Sequence, residues 1–450
     1  MPRILSAVFG PFSLFCGLAL GLLFRFVPPP SSWYWLAAGG LVVLGVIAIG
    51  RSHGWRWVTL GSGLVVAASL GLQLWPQGCL GETQVRTGDL LSEVEIQVPA
   101  DLRQGAFTTR RTLEVLPGFQ VSLFAAGLGA PRLLAFSPAG DLYVSLPRDG
   151  SVVALPDRNR DGLADRRIDF ASGLDRPHGL TFAGADLIVA ENSRLLRLRD
   201  GDGDLQAEGI KVLSTDLPGG GGHWTRSVVR GEGGDFLVSA GSSCNACIED
   251  DPRRAALLKI PANGGAATLY AKGLRNSVGL AVDPLGGGLW GSDNGRDMLG
   301  DDLPPEEINH IVAGGDYGWP YCYGERLPDP ELGSAGRCRE TLAPAVEIQA
   351  HSAPLGIAFG TGFAGPEPYR EMLYVALHGS WNRSIPTGYK VIGIPFHAGR
   401  PSGPPRDVIR GWFQAGTAWG RPVAPAVGPD GALYLSDDRA GAIYRITFKN

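Results

Sequence analysis

SPAGDLYVSLPRDGSVVAL, Ser137 to Leu155, contains a turn, a short apolar strand, a second turn and a second short strand. The strands use Leu, Tyr and Val, and the turns use Pro, Gly and Asp, which is the composition of a β-hairpin. The same order recurs in FAGADLIVAENSRLLRL from Phe182, RGEGGDFLVSAGSS from Arg230 and DPLGGGLWGSDNGRD from Asp283. It recurs again in PEPYREMLYVALHGSWN from Pro366 and GPDGALYLSDDRAGAIYRI from Gly428. A lone hairpin cannot bury its face, so repeated hairpins stack on one another. Six such units with no intervening helical period predict an all-β six-bladed propeller. The earlier strand FQVSLFAAGL, Phe119 to Leu128, is expected to close the ring beside the last unit. A β-sandwich, the alternative, needs fewer strands than this stretch supplies.

The 450 residues leave room for more than this one domain, and composition agrees with a turn-rich chain, with 66 glycines and 34 prolines. The formal charge of -4 gives no basic surplus for nucleic acid. Three runs before the repeats are nearly uncharged: Ile4 to Phe26, Trp33 to Gly50 and Val58 to Trp75. Each is close to the ~18–20 apolar residues that cross a bilayer. Three runs predict three transmembrane helices over residues 1–76, with Trp33, Trp35, Trp55, Trp57 and Trp75 as interfacial anchors. A cleaved leader would be one short run. Arg3, Arg51 and Arg56 fall on one side and Arg25 on the other, which places the N-terminus in the cytoplasm and the repeats outside. The expected organisation is a membrane anchor over 1–76, a linker over 77–112 and the propeller over 113–450.

Four cysteines lie in the external part, an even number that reads as two disulfides. Proximity favours Cys244–Cys247 and Cys322–Cys338, with zinc on the CxxC pair as the alternative. Two acidic loops have calcium-loop spacing: Asp157, Asn159, Asp161 and Asp165 in DRNRDGLAD, and Asp200, Asp202, Asp204 and Glu208 in DGDGDLQAE. Alternating carboxylates supply the hard oxygens calcium takes. Neither loop has a glutamate at its twelfth position, where Ile168 and Lys211 stand. Both also read as solvated turns.

GGGGHWTR, Gly219 to Arg226, lacks the GK[ST] of a phosphate loop. Its interest is His223 in a glycine-rich approach to the third unit. A second dense region, GLRNSVGLAVDP to GGDYGWPYCYG, gathers Arg275, Asn276, Asp293, Glu306, Glu307 and the aromatics Tyr317, Trp319 and Tyr321.

HWTR, GSSCN, GLRNSVGL, DNGRD, EEINHI with GGDYGWPYC, HGSWNR and GRPVAPAVGPDGALY occur in that order. The ordered set resembles the pyrroloquinoline-quinone-dependent soluble aldose and sorbosone dehydrogenases, from about Thr112 to Asn450. The resemblance implies a six-bladed propeller holding the quinone and calcium at the mouth of its channel. It makes His223 the catalytic base. It assigns Arg275 and Asn276 to the quinone and the reacting carbonyl, and the main-chain carbonyls of Gly295 and Arg296 to the quinone-bound calcium. Arg421 would meet cofactor carboxylates. His178 stands where better-known members have a glutamine near the quinone, and His378 where they have a lysine, so Arg383 is the substitute cation. Ser242 stands where an aspartate orients the histidine.

These residue types suit the reaction on chemical grounds. A tricarboxylate needs several arginines, calcium polarises a carbonyl, and a neutral histidine removes a hydroxyl proton. The expectation is an aldose, sorbosone-like or related sugar dehydrogenase anchored in the bacterial inner membrane, with its catalytic domain in the periplasm. It would pass electrons to a respiratory acceptor such as ubiquinone or a cytochrome. A calcium-dependent propeller lactonase and a non-catalytic sugar-binding propeller are the alternatives.

Overall fold

A computed structural model describes residues 91–286 and 288–449. The three expected membrane spans lie outside the described residues. Among the described residues, no helix is long and apolar enough to cross a membrane.

The strands form antiparallel sheets, and the described residues build an all-β propeller. Five sheets are four-stranded. Their first strands are Leu134–Phe136, Gly179–Ala183, Val228–Arg230, Ser277–Val282 and Pro422–Val427. Six such blades are the expectation from sequence; besides two two-stranded ribbons, Cys322–Tyr323 with Leu327–Pro328 and Phe413–Gln414 with Thr417–Ala418, the other sheet is seven-stranded, and its first strand is Pro354–Phe359. It is larger by three strands: Ser92–Glu95 from the expected linker, Thr112–Val115 at the linker's end, and Arg400–Pro401, which pairs back on Lys390–His397. Ser92–Glu95 pairs with Thr112–Val115, which in turn pairs with Arg406–Arg410. The six first strands adjoin one another in a closed circuit.

The second strands explain why the repeats read as continuous apolar runs. Leu142–Leu146, Asp186–Ala190, Phe236–Ala240, Leu289–Asp293, Met372–Leu377 and Leu433–Asp437 are buried at every position. Each is covered on both faces by neighbouring sheets, so no period of two survives. The first strands approach one another closely. A Cβ on Gly279 would lie 2.2 Å from the Leu355 carbonyl oxygen, and one on Gly179 would lie 2.6 Å from that of Arg226. Only glycine permits that contact.

A serine in the second strand ties the circuit together. Ser292 Oγ accepts from the Gly279 N–H at 2.9 Å and donates to the Leu355 carbonyl of the next sheet at 2.6 Å. Ser436 Oγ accepts from Ala424 N–H at 3.1 Å and donates to the Arg132 carbonyl at 2.6 Å. The last of these bonds crosses the seam between the final and first sheets. The seam is closed as the sequence predicts, by Phe119–Ala125 pairing antiparallel with Ala442–Phe448.

Candidate active site

In an up-and-down sheet, the entry to the first strand and the turn between strands two and three lie at the same end. That end of the ring carries the candidate site. A basic residue stands within three positions before every first strand: Arg132, His178, Arg226, Arg275, His351 and Arg421. An aspartate after the stapling serine fixes two of these entries. Asp293 Oδ1 accepts from the Asn276 N–H at 2.9 Å and the Ser277 hydroxyl at 2.7 Å. Asp437 Oδ1 accepts from Arg421 N–H at 2.8 Å, Arg439 N–H at 3.0 Å and Ala440 N–H at 2.8 Å. Burial pushes both carboxyls up to about 6.

His223 is half-buried, and its glycine approach is tied down. The Arg226 guanidinium is fully buried and donates to the carbonyls of Pro218 at 2.5 Å, His223 at 3.1 Å and Thr225 at 2.8 Å. Arg254 holds the Gly219 and Gly220 carbonyls from the other side. The group that orients the imidazole is Ser242. His223 Nδ1 lies 2.8 Å from Ser242 Oγ and 3.0 Å from the Ser242 carbonyl oxygen. The Ser242 hydroxyl proton goes to the Cys244 carbonyl at 2.7 Å, so both oxygens facing Nδ1 act as acceptors. Nδ1 therefore carries the proton and Nε2 carries the lone pair. Burial, then the charges of Arg275 and Arg226, hold the imidazole down to about 4 against the Ser242 carbonyl. The ring is neutral at physiological pH and presents a base.

Arg275 is buried and internally satisfied. Nε donates to Asn245 O at 2.9 Å, Nη1 to Asn294 O at 3.0 Å and Nη2 to Asn245 Oδ1 at 2.8 Å, with Asp297 Oδ2 at 3.4 Å. Asn276 lies against His223 across Gly241, where an added Cβ would sit 2.5 Å from His223 Cβ and 2.9 Å from Asn276 Oδ1. The structure thus brings His223, Arg275 and Asn276 together. The Gly295 and Arg296 carbonyls accept no hydrogen bond among the described residues, whereas the neighbouring Asn294 carbonyl does. Arg296 itself is turned away and paired with Asp329 at 2.7 Å and Glu331 at 3.0 Å. Buried Glu306, raised by desolvation to about 7, accepts from Gly295 N–H at 2.8 Å and Ala353 N–H at 3.1 Å.

Across the ring mouth is a cleft of about 720 Å³ whose lining includes Arg111, Arg148, His378, Trp419, Arg421 and Arg439. The side chains of Arg148 and Arg439 make no hydrogen bond or ion pair among the described residues. Arg421 donates Nε and Nη2 to the carbonyls of His378 and Gly379 at 2.9 and 2.6 Å, and lies over the Tyr389 ring. Arg111 lies over Trp419, 5.1 Å from its centroid. His378 Nε2 is 2.8 Å from Asp438, which also accepts from Arg132 at 2.9 Å. Burial pushes Asp438 up, but the His378 and Arg132 contacts outweigh it and hold the carboxyl low. Burial drives His378 down to about 4.

The remaining expected residues are more dispersed. His178 is fully buried, with Nδ1 3.3 Å from the Arg226 carbonyl and Nε2 without a partner. Its pKa lies well below the usual range, chiefly through burial. The Arg383 guanidinium is held by the Asp301 carbonyl and by Asp302 at 2.8 Å rather than turned toward the cleft. Both expected disulfides, Cys244–Cys247 and Cys322–Cys338, are formed. Asp200, Asp202, Asp204 and Glu208 each bring a carboxylate oxygen within 4.8 Å of the others. Both acidic loops fold on their own backbone: Asp200 accepts from Gly203 N–H and Leu205 N–H at 2.7 and 3.0 Å, and in the Asp157, Asn159, Asp161 and Asp165 loop Asp157 accepts from Asp161 N–H and Gly162 N–H at 3.2 and 3.0 Å.

Sequence reasoning missed Arg148 and Arg439, although a signal was present. YVSLPRDG and YLSDDRAG align residue for residue, and they place both arginines in the second turn of adjoining blades. Arg111 and Ala106 were missed because they lie in the expected linker.

A family model described as TrAA12-like matches residues 113–449, and the chain belongs to that family. A pyrroloquinoline quinone-dependent sugar dehydrogenase from Hypocrea jecorina is 26% identical over 327 residues, 58% of this chain and 72% of that one. Two solved structures share the fold. The holo form of the pyranose dehydrogenase PQQ domain from Coprinopsis cinerea has a TM-score of 0.65 at 22% identity, covering 79% of this chain and 100% of that chain. The calcium structure of the Trichoderma reesei family AA12 protein has a TM-score of 0.66 at 23% identity, covering 74% and 96%.

Proposed function

Taking membership of the TrAA12-like family as the premise, we propose that this chain is a quinoprotein dehydrogenase that oxidises a sugar with pyrroloquinoline quinone and calcium. The observation that carries this reading is the cleft with four arginines, two of them uncommitted, on the same end of the ring as His223. Carboxylates are what such guanidinia bind in fork geometry, and the quinone has three. Arg148, Arg421 and Arg439 would hold them. The two unengaged carbonyls of Gly295 and Arg296 are hard oxygen donors of the kind calcium takes. We count the seven-stranded sheet as the sixth blade, since its first strand completes the circuit of first strands.

When bound, the quinone supplies the acceptor for a hydride, and calcium polarises the carbonyl that receives it. The chain's own part is positional. Nε2 of His223 takes the proton of a substrate hydroxyl, because Ser242 fixes the proton on Nδ1. Arg275 and Asn276 lie beside His223, where they would orient the reacting carbonyl, with Arg275 immobilised by Asn245, Asn294 and Asp297. The basic entries to the first strands disfavour the lactonase reading, which needs a carboxylate-rich channel centre.

The substrate we propose is an aldose or a related, sorbosone-like sugar aldehyde. The three apolar runs before residue 77 support anchoring in the bacterial inner membrane with the propeller in the periplasm. Electrons would then reach ubiquinone or a cytochrome of the respiratory chain. The converging Asp200, Asp202, Asp204 and Glu208 oxygens suit a structural calcium. The test is to titrate the full chain with quinone and calcium. An absorbance change together with sugar-dependent dye reduction is expected; neither appearing would reject the reading.

A further inference from the structure

Residues His378 to Arg383 form a strap tied at both ends. At one end the His378 and Gly379 carbonyls accept from Arg421, and His378 pairs with Asp438. At the other end Asn382 Nδ2 donates to Asp297 Oδ1 at 2.9 Å, and Asp297 Oδ2 faces Arg275. Arg383 and the Ser384 N–H are bound to Asp301 and Asp302. The middle is fixed as well: Tyr389 OH donates to the Ser380 carbonyl at 2.7 Å, and Ser380 Oγ accepts from Thr387 N–H at 2.9 Å. The strap therefore crosses the mouth from the arginine cleft to the Arg275 end.

Its central side chain, Trp381, is 69% exposed and makes no hydrogen bond or ring contact among the described residues. A strap anchored in three places could have buried this ring and does not. A tryptophan has a large, rigid apolar face with a polar edge, suited to partners that are apolar on one side and wet on the other. Here the face is flanked in sequence by Ser380, Asn382 and Arg383. A pyranose ring has that character, with an apolar C–H face and a hydroxyl-bearing rim. Ile385, four residues on, is also exposed, and a macromolecular partner would engage both side chains as one apolar patch, whereas a single sugar ring stacks on the indole alone.

We propose that Trp381 is a specificity-determining residue whose indole face stacks on a pyranose ring of the sugar entering the mouth. The inference rests on the reading that the site oxidises a sugar. Trp381 lies outside the reacting set, so it acts on substrate capture and leaves the proton-transfer step alone.

The test uses the full chain reconstituted with quinone and calcium, and dye reduction with a panel of aldoses and their disaccharides. Trp381→Ala is expected to raise KM about tenfold while kcat stays within about twofold, and Trp381→Phe is expected to restore most of the loss. Quinone affinity, measured by absorbance titration, is expected to be unchanged. Ile385→Ala, a change at an equally exposed apolar neighbour that is 75% exposed, is expected to leave KM alone. Independently of turnover, the same sugars are titrated into the protein without quinone while the indole N–H resonance, assigned by its loss in Trp381→Phe, is followed. A resonance that moves, with no sugar oxidised by the chain reconstituted with quinone and calcium, rejects the dehydrogenase reading and keeps this inference. Unchanged KM with an unmoved resonance overturns it. So does a result in which Trp381→Ala and Ile385→Ala both slow reduction of a protein electron acceptor and spare sugar KM, since that marks a partner-docking patch.

Discussion

The fourth and the last sheets are built on the same device and end in opposite states. In both, a serine staples the first strand, and the aspartate after it holds the residue before that strand: Asp293 on Asn276, Asp437 on Arg421. Beyond that, the fourth sheet leads to Arg275, whose donors are taken by Asn245, Asn294 and Asp297. The last sheet leads to a cleft in which the guanidinium of Arg439, and that of Arg148 of the adjoining sheet, make no hydrogen bond or ion pair among the described residues. A group whose hydrogen bonds are already made is fixed in place and shapes its surroundings. A group without them is available to a ligand. The same scaffold thus yields an orienting region and a binding region.

Substitutions can separate the two. The largest effect is expected from His223→Ala: kcat falls by about 10²–10⁴-fold, the range for loss of a general base, while quinone binding persists in an absorbance titration. Arg148→Ala with Arg439→Ala is expected to do the reverse. Quinone affinity drops by about 10–100-fold per guanidinium, as charge-assisted bonds of about 1.5–3 kcal/mol are lost, and kcat at saturating quinone holds. Equal losses of kcat and affinity in both variants would erase the distinction between the regions.

Ser242→Ala should cost about tenfold in kcat, less than loss of the base itself, because the imidazole keeps the Ser242 carbonyl as a partner. The pH profile sharpens this point. With the His223 pKa held down to about 4, kcat/KM in the native chain is expected to stay level at neutral pH and fall as pH drops through about 4, where the base is protonated. Ser242→Asp places a negative charge beside Nδ1, raises the imidazole pKa and moves that acid limb upward; a limb that stays put would show that Ser242 does not set the base. The smallest difference is expected between Asp437→Asn and Asp293→Asn. The first should weaken quinone binding and the second should lower kcat, each by about threefold to tenfold, in keeping with one neutral for one charged acceptor.

How much of this was legible in the sequence follows from the kind of signal involved. The hairpins were, because turn residues and short apolar runs are local, and so was the closing strand. His223, Arg275, Asn276 and Arg421 were found as members of an ordered motif set. The partner of His223 was not, because nothing in GSSCN states that the Ser242 hydroxyl proton turns to the Cys244 carbonyl. Arg383 looked like a cation for the cleft by proximity to His378, but the strap carries it to Asp301 and Asp302. Ser92–Glu95 looked like linker because a polar edge strand has no burial period; its burial pattern is mostly exposed.

The seam has a consequence for how the chain is made. Ser122 Oγ bonds the Arg445 carbonyl across 323 positions of sequence, so the ring cannot close until the last strand has left the ribosome. Contacts of such span carry a high loop-closure entropy and form late. The arginine cleft straddles that seam, drawing Arg148 from one side and Arg421 and Arg439 from the other. A nascent or partly unravelled chain would therefore possess the orienting residues before it possessed anything to bind.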